Sequence, residues 1–440
     1  MNQYPIPQQV LDDILKRMDI ADISRSTIRQ SVAVAKELEE YCGETFLHLE
    51  IGVPGLPACQ IGIDAQKEAL DRGVASVYPN IAGSPDLKQS ASKFIKAFIN
   101  QDIPEECIVP TVGSMQGCNT LILECSQLQE GKNTILYINP GFAPHMLQAK
   151  IAGAKIASFD IYNFRAEKLK PKLESFLSQG NVAAIVYSNP NNPAWVCLTD
   201  SELQTIGELA TQYDTIVLED MAYLCMDFRN DLSHPFEPPF QPTIARYTDN
   251  YIMMLSGSKI FSYAGERIAI VAFSPTLFKR EYPRLRQMYG LGRMGDNFIL
   301  TYLYAASSGT SHSAQCALAA MMKASVEGYD FVQPLQEYRR RAHESKAIFL
   351  KHGFNIVYDR DLDKELSDGF FYTIGYHNLD CSSLMAMLLR CGIASIALNT
   401  TGSEQPGVRI SVAALATPWL MQQLDDRLAA FVQLANDKKL

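Results

Sequence analysis

With 440 residues, 47% of them hydrophobic and 20% charged, the chain is too long for one ordinary domain and has the make-up of a globular enzyme. A formal net charge of −9 argues against nucleic acid as a main partner, since phosphate backbones are met by basic faces. No apolar run approaches the ~18 residues of a membrane crossing, and Met1-Asn2-Gln3-Tyr4-Pro5 carries no secretory signal, so a cytoplasmic protein without membrane contact is expected. The ten cysteines form no CxxC pair and sit mostly in apolar stretches, which suits buried thiols in a reducing compartment. The seven histidines show no ligand spacing, so no metal site is expected.

In chain order, Ile28, Val32, Ala35 and Leu38 keep helical spacing, with Asp22 or Ser24 as the expected cap and Gly43 past the end. A short strand over Phe46–Gly52 runs into the turn Pro54-Gly55-Leu56-Pro57. Apolar, strand-like runs then recur at Cys107–Val112, Thr134–Ile138, Ala183–Tyr187, Thr215–Leu218, Tyr251–Leu255 and Ile268–Phe273, separated by helix-length segments such as Met115–Leu128 and Ser201–Tyr213. This alternation predicts an α/β fold, a large three-layer α/β/α domain with a mostly parallel sheet. Asp227–Asn250, rich in Pro, Phe and Asp, reads as a surface excursion, and Tyr289–Ser311 as a second region of extra length. Near residue 325 the pattern changes to a helix at Tyr338–His352, a strand at Phe370–Ile374, a helix at Ser382–Arg390 and a strand at Val408–Val412. The expected organisation is a large domain over 56–324 and a smaller α+β domain over 325–440, with the N-terminal segment 1–55 packed on the smaller one.

Ligands of open α/β sheets collect beyond the carboxyl ends of the strands, and the distinctive polar residues fall there. Lys259, in Ser256-Gly257-Ser258-Lys259, follows the buried run Tyr251–Leu255. A buried ammonium tends to lose its proton, and the resulting amine suits imine chemistry. Ser256, Ser258 and Arg267 beside it suit a phosphate. Together they suggest a lysine imine to pyridoxal 5'-phosphate. Gly113-Ser114-Met115-Gln116-Gly117 joins a strand to a helix, either as a phosphate-binding helix start or as a plain turn. Asn189-Pro190-Asn191-Asn192-Pro193 is either a rigid mount for an amide that donates to a phenolate oxygen or a loop of turn formers. Asp220, ending a strand, either keeps a pyridine nitrogen protonated or caps a helix. Tyr223 follows within reach of the same ring's phenolic oxygen. Phe142 either lies on a ring or fills the core. Arg409, a lone charge on an apolar strand, requires a carboxylate from a substrate or from a structural Asp or Glu.

In this order the motifs Gly113 to Gln116, Pro140-Gly141-Phe142, Asn189 to Pro193, Asp220-Met221-Ala222-Tyr223, Ser256 to Lys259, Arg267 and Arg409 resemble the fold-type I pyridoxal-phosphate enzymes, above all the class I/II aminotransferases related to aspartate aminotransferase. The resemblance runs from about Leu49 to the C-terminal region. It implies that Lys259 forms the internal aldimine and shuttles the substrate proton, that Asp220 pairs with the pyridinium, and that Asn192 and Tyr223 hold the phenolic oxygen. It further implies that Phe142 stacks on the ring and that Ser114, Met115, Gln116, Ser256, Ser258 and Arg267 cradle the phosphate. Arg409 would grip the α-carboxylate with backbone help from Gly52. Tyr78 matches a tyrosine that reaches the phosphate from a neighbouring subunit, which implies a homodimer. Two positions depart from the family pattern: Trp195 and Ala269 stand where it usually has glycine, and Trp195 bears on the shape of the loop and the local substrate space.

The reading is therefore an aminotransferase passing an amino group between an L-amino acid and a 2-oxo acid. A C–S β-lyase or an amino-acid decarboxylase on the same scaffold is the alternative, and Arg409 disfavours loss of the carboxylate. A cofactor-sensing regulator needs a DNA-binding module, and the fifty or so residues before Gly52 are not basic enough for one. A nucleotide-binding protein lacks support because no GxGxxG or GxxxxGK[ST] string is present. Arg284, Arg286 and Arg293 are candidates for a second carboxylate or a solvated face, and His145 is either a pocket residue or a surface histidine.

Overall fold

The computed structural model describes residues 4–437. The chain divides into two compact units, one formed by Leu56–Asn191 with Cys197–Leu335, the other by the chain up to Gly55, Asn192–Val196 and the chain from Gln336 onward.

Among the described residues, the first unit holds a seven-stranded sheet of β1 (Ile108–Val112), β2 (Thr134–Asn139), β3 (Lys155–Asp160), β4 (Val182–Ser188), β5 (Ile216–Asp220), β6 (Tyr251–Ser256) and β7 (Ile268–Phe273), in the spatial order β1-β7-β6-β5-β4-β2-β3. The pairs from β6 to β3 are parallel, whereas β7 runs antiparallel to both β1 and β6. β2, β4, β5, β6 and β7 are buried at every position, as strands covered on both faces must be, which is why their apolar runs are continuous. β3 was not expected. It is the sheet edge, exposes Lys155 and Ser158, and so carries no such run. The antiparallel direction of β7 has a functional consequence. Ile268 pairs with Val112 and Ala269 with Ser256, so the start of β7 stands at the same edge of the sheet as the ends of β1 and β6.

The excursion Asp227–Asn250 is seated more firmly than its composition suggested. Phe228, Leu232 and Ile244 are buried, and the amides of Phe236 and Gln241 donate to the carbonyls of Ala97 and Phe98 at 2.8 and 3.0 Å, at the end of the helix Pro85–Ile99. Within Tyr289–Ser311 lies a π-helical turn, Phe298–Leu303, that buries Phe298.

The second unit carries, among the described residues, a four-stranded antiparallel sheet in the order Ile396–Ala397, Val408–Ser411, Phe371–Gly375, Asn355–Ile356. The helices Gln336–Lys351, Cys381–Arg390 and Pro418–Asp437 belong to the same unit. Leu47–His48 pairs in parallel with Ile393–Ala394, which ties the N-terminal segment to the C-terminal one. The helix Ile28–Cys42 is capped by Thr27 rather than by Asp22 or Ser24. Thr27 and Gln30 form a reciprocal capping box, and Asp22 instead caps the separate turn Ile23–Arg25. Gly43 ends the helix at φ 70°, a left-handed conformation that glycine adopts without steric cost.

Candidate active site

Most of the candidate residues lie in the first unit, at the carboxyl edge of its sheet. At the end of β1, Gly113 takes φ 64° and opens the helix Gly113–Cys125, whose start no side chain caps. Its amide donates to the carbonyl of Arg267 at 2.8 Å, and a Cβ at this position would stand 2.4 Å from the Arg267 guanidinium. Glycine is thus required both for the backbone angle and for the arginine beside it. A helix start with unfilled N–H positions next to a guanidinium is suited to an anion. Ser114, Met115 and Gln116 are half-buried in the first turn of this helix. Gln116 is partly committed to structure: its Oε1 accepts from Val112 N at 2.8 Å and its Nε2 donates to Ser307 Oγ at 2.9 Å. On the neighbouring strand end, Ser256 Oγ accepts from Ser258 N at 3.1 Å and starts the short helix Gly257–Ile260. Lys259 sits in that helix and is half-buried, not sealed in the core as the apolar run before it suggested.

Asp220 ends β5 and is buried. Its Oδ1 accepts from Ala222 N at 3.1 Å, and burial pushes the carboxyl up to about 6. His145 Nε2 lies 3.8 Å from Asp220 Oδ2. Burial also pushes this imidazole down to about 4, so it stands beside the acid as a neutral ring rather than as a cation. His145 is buried, contrary to the surface reading, and meets Phe142 edge-on with ring centroids 5.2 Å apart. The signal was its place three residues after Phe142, which puts both on one face of a helix start. Tyr223 is buried close after Asp220 in the chain.

The strand ends on this side carry more buried polarity than the protein satisfies. Among the described residues, both amide atoms of Asn139, at the end of β2, lack a hydrogen-bond partner, as does Asn189 Nδ2 just beyond β4. Asn189 Oδ1 accepts from Leu198 N at 3.1 Å, so this amide is half used. β5, β4 and β2 follow one another in the sheet, so Asn189 stands at the end of the strand next to the one that carries Asp220 and Asn139 at the end of the strand beyond it. Unpaired buried polar atoms are rare in folded proteins and mark a place where a ligand completes the set. Tyr78 is not drawn into this group. It follows the turn Val74–Ser76 and is 91% exposed.

The remaining candidates lie in the second unit. Arg409 is buried on the strand Val408–Ser411. Its Nη1 donates to Asn192 Oδ1 at 3.3 Å, its Nη2 donates to the backbone carbonyl of Glu50, and its guanidinium lies over the ring of Phe371 at 4.4 Å. Gly52 comes close to the same ring, since a Cβ there would be 3.1 Å from it. Glu50 and Phe371 gave no warning in the sequence. They reach Arg409 only through strand pairing and through the path of the chain after Leu47–His48. Glu50 is anchored in turn by His48, whose Nδ1 lies 2.7 Å from Glu50 Oε1 and whose Nε2 lies 3.1 Å from Glu39 Oε1. Trp195 is fully buried at φ 64°, against Gly369 and edge-on to Phe371. Arg284, Arg286 and Arg293 are exposed, and the last two pair with Glu281, which makes them a solvated face.

Residues 44–428 match the family model for aminotransferases of class I and II. The chain belongs to this family. Curated relatives include a probable aspartate aminotransferase of Methanocaldococcus jannaschii, 26% identical over 53% of this chain and 58% of the relative. The aspartate aminotransferase of Pyrococcus horikoshii is 29% identical over 60% of this chain and 63% of the relative. The chain thus spans about three-fifths of the length of these relatives. An aspartate aminotransferase of Thermus thermophilus shares the fold, with a TM-score of 0.73 at 17% identity over 93% of this chain and 96% of that one. An aspartate aminotransferase of Thermotoga maritima does so with a TM-score of 0.73 at 18% identity over 96% and 99%.

Proposed function

We propose that this family member is a pyridoxal-phosphate-dependent aminotransferase that moves an amino group between an L-amino acid and a 2-oxo acid. The observation that carries the reading is the carboxyl edge of the first unit's sheet. There a buried Asp220, its carboxyl pushed up to about 6 by burial, and the under-used amides of Asn139 and Asn189 stand at the ends of consecutive strands. A cationic ring nitrogen would relieve the buried carboxylate, and the Gly113–Arg267 cradle suits a phosphate, so the residues present fit this cofactor.

When bound, pyridoxal phosphate supplies an aldehyde that captures amines and a protonated ring that withdraws electrons from the substrate's Cα. Asp220 would keep the ring nitrogen protonated, and neutral His145 beside it would leave that negative charge intact. Lys259 would hold the cofactor through Nζ and, when released by the substrate's amine, would carry the proton taken from the substrate's Cα. Asn192, whose Oδ1 accepts from Arg409, and Tyr223 would hold the phenolic oxygen, as the family resemblance implies. Phe142 would cover one face of the ring and exclude water. Ser114, Met115, Gln116, Ser256, Ser258 and Arg267 hold the phosphate. Arg409 and the backbone at Gly52 hold the α-carboxylate. Keeping that carboxylate in place disfavours the decarboxylase alternative.

Tyr78, standing 91% exposed, is proposed to complete the phosphate site of a second copy of the chain in a homodimer. The two compact units are proposed to be the cofactor-binding domain and the small domain of such an enzyme. A cytoplasmic location belongs to the same reading. The test is direct. Borohydride reduction of the yellow protein should fix the cofactor mass on the peptide that contains Lys259, and an amino acid with 2-oxoglutarate should yield glutamate. Reduction that leaves the peptide unmodified refutes the reading, and pyruvate with ammonia in place of glutamate replaces it with the lyase.

A further inference from the structure

We propose that Trp195 is a positioning residue for the carboxylate-binding arginine: acting through Phe371, its indole fixes the plane in which Arg409 meets the substrate. This rests on the assignment of Arg409 to the α-carboxylate.

The starting observation is strain. Trp195 has φ 64°, a left-handed conformation that bulky side chains rarely adopt, and its side chain is fully buried. Strain of this kind persists only where the surroundings impose it, and it concentrates at working sites. A second backbone concession accommodates the same indole. At Gly369 a Cβ would lie 2.0–2.3 Å from three indole atoms. Gly369 has no left-handed φ to explain it, so glycine serves there to make room.

The indole borders Phe371. The two rings meet edge to face, with centroids 6.3 Å apart and planes at 72°. Phe371 is confined elsewhere by Phe370, with centroids 4.8 Å apart, and by the backbone of Gly52, from which a Cβ would be 3.1 Å distant. The Phe371 ring carries the Arg409 guanidinium at 4.4 Å. Asn192 Oδ1 and the Glu50 carbonyl hold that guanidinium by hydrogen bonds, and the ring supports its face. A guanidinium binds a carboxylate through two parallel N–H bonds, so its tilt decides how well the pair forms. Without the indole, Phe371 gains room to turn and the face support is lost. Asn192 and Trp195 also share the segment Asn192–Val196, so one stretch of chain supplies both the hydrogen bond and the buttress.

The test uses the full-length holoenzyme and two non-reacting carboxylates as probes, succinate and 3-phenylpropanoate, titrated by calorimetry. Trp195→Gly should weaken binding of whichever probe binds the wild type by about tenfold, the factor that loss of a cation–π contact implies. KM for the amino donor should rise in step, kcat should fall less than threefold, and Trp195→Phe should recover most of the loss. In the Arg409→Lys background Trp195→Gly should have no further effect on carboxylate binding, because the two act as one unit. A Trp195→Gly protein with unchanged carboxylate affinity but a lower Tm overturns the proposal, as does an additive double variant. Should Trp195→Gly fail to fold, Phe371→Leu and Trp195→Phe carry the same comparison. A readout independent of turnover comes from the protein having only two tryptophans, the other being Trp419, 65% exposed. In Trp419→Phe, emission from Trp195 should shift as carboxylate saturates Arg409. If no amino acid is transaminated while this shift persists and Arg409→Lys abolishes it, the function reading fails and the positioning role stands. If neither probe binds the wild type, the positioning role fails.

Discussion

Replacing Asp220 with asparagine should make the cofactor-free protein more stable and the cofactor-bound protein weaker. In the cofactor-free state Asp220 has one backbone N–H at 3.1 Å, a neutral imidazole at 3.8 Å, and a carboxyl raised from 3.8 to about 6 by burial. Cys118, which also faces it, is a fully buried thiol raised well above its ordinary range and so carries no charge that could help. A carboxyl with a raised folded-state pKa stabilises the fold fully below its unfolded value, and that contribution is lost as pH rises through about 6. The rise corresponds to about 3 kcal/mol of stability forgone at neutral pH. Asparagine keeps the shape without the charge. Urea unfolding of the cofactor-free proteins should therefore show Asp220→Asn more stable by up to about 3 kcal/mol at pH 7.5, with roughly half that gain at pH 5. With cofactor the sign reverses. The charge-assisted bond to the ring nitrogen is gone, and cofactor affinity should fall about 10- to 100-fold. A variant that is no more stable than wild type when cofactor-free, or whose gain does not shrink toward pH 5, refutes the claim that Asp220 is held ready as an unsatisfied acid.

Two further outcomes test other parts of the fold. Glu124, in the helix Gly113–Cys125, is fully buried, both its carboxyl oxygens lack partners among the described residues, and burial raises it well above the carboxylate range. Glu124→Leu should raise the urea midpoint by an amount equivalent to about 1–3 kcal/mol, whereas Glu124→Gln should not; a loss with Leu would mean that the acid has a partner. His48 is raised above 6.5, first by its hydrogen bond to Glu50 and further by Glu39. Its stabilisation is therefore complete below 6.5 and lost as pH rises through the raised value. NMR titration of its imidazole should place the midpoint above 6.5, and His48→Gln should abolish the matching slope in stability against pH.

The sequence was most legible where one physical demand dominated. Strands buried on both faces must be apolar throughout, so β6 and β7 stand out, while the half-exposed β3 does not. Polar residues at or beyond strand ends are conspicuous against such runs, as Asp220 and Lys259 are, and Arg409 stands out as a lone charge within one. Their partners were harder to find. Phe371 and Glu50 meet Arg409 through antiparallel pairing and chain path, and neither leaves a local mark. At the helix Ile28–Cys42 the signal was present: Thr27 and Gln30 have the capping-box spacing, which outweighs an isolated Asp22.

Two buried acids, Glu124 and Asp220, show how a local defect is told apart from a functional one. Both lie in the first unit, both are raised by burial, and among the described residues no charged group is seen paired with either. Local reasoning treats them alike, and Asp220→Asn and Glu124→Leu should each stabilise the cofactor-free fold. The difference lies in the surroundings. Asp220 ends a strand next to the one that runs into Asn189, and Asn139 ends the strand after that; both amides are under-used, and an anion-suited helix start stands at the same edge of the sheet. Glu124 is near the end of its helix, with burial as the cause of its shift. A functional defect is one whose cost a ligand removes, so the same substitution changes sign when the ligand binds. Asp220→Asn should stabilise without cofactor and weaken the bound state, whereas Glu124→Leu should stabilise both. Unfolding of each variant with and without pyridoxal phosphate measures that difference, and equal behaviour of the two would remove the physical ground for singling out Asp220.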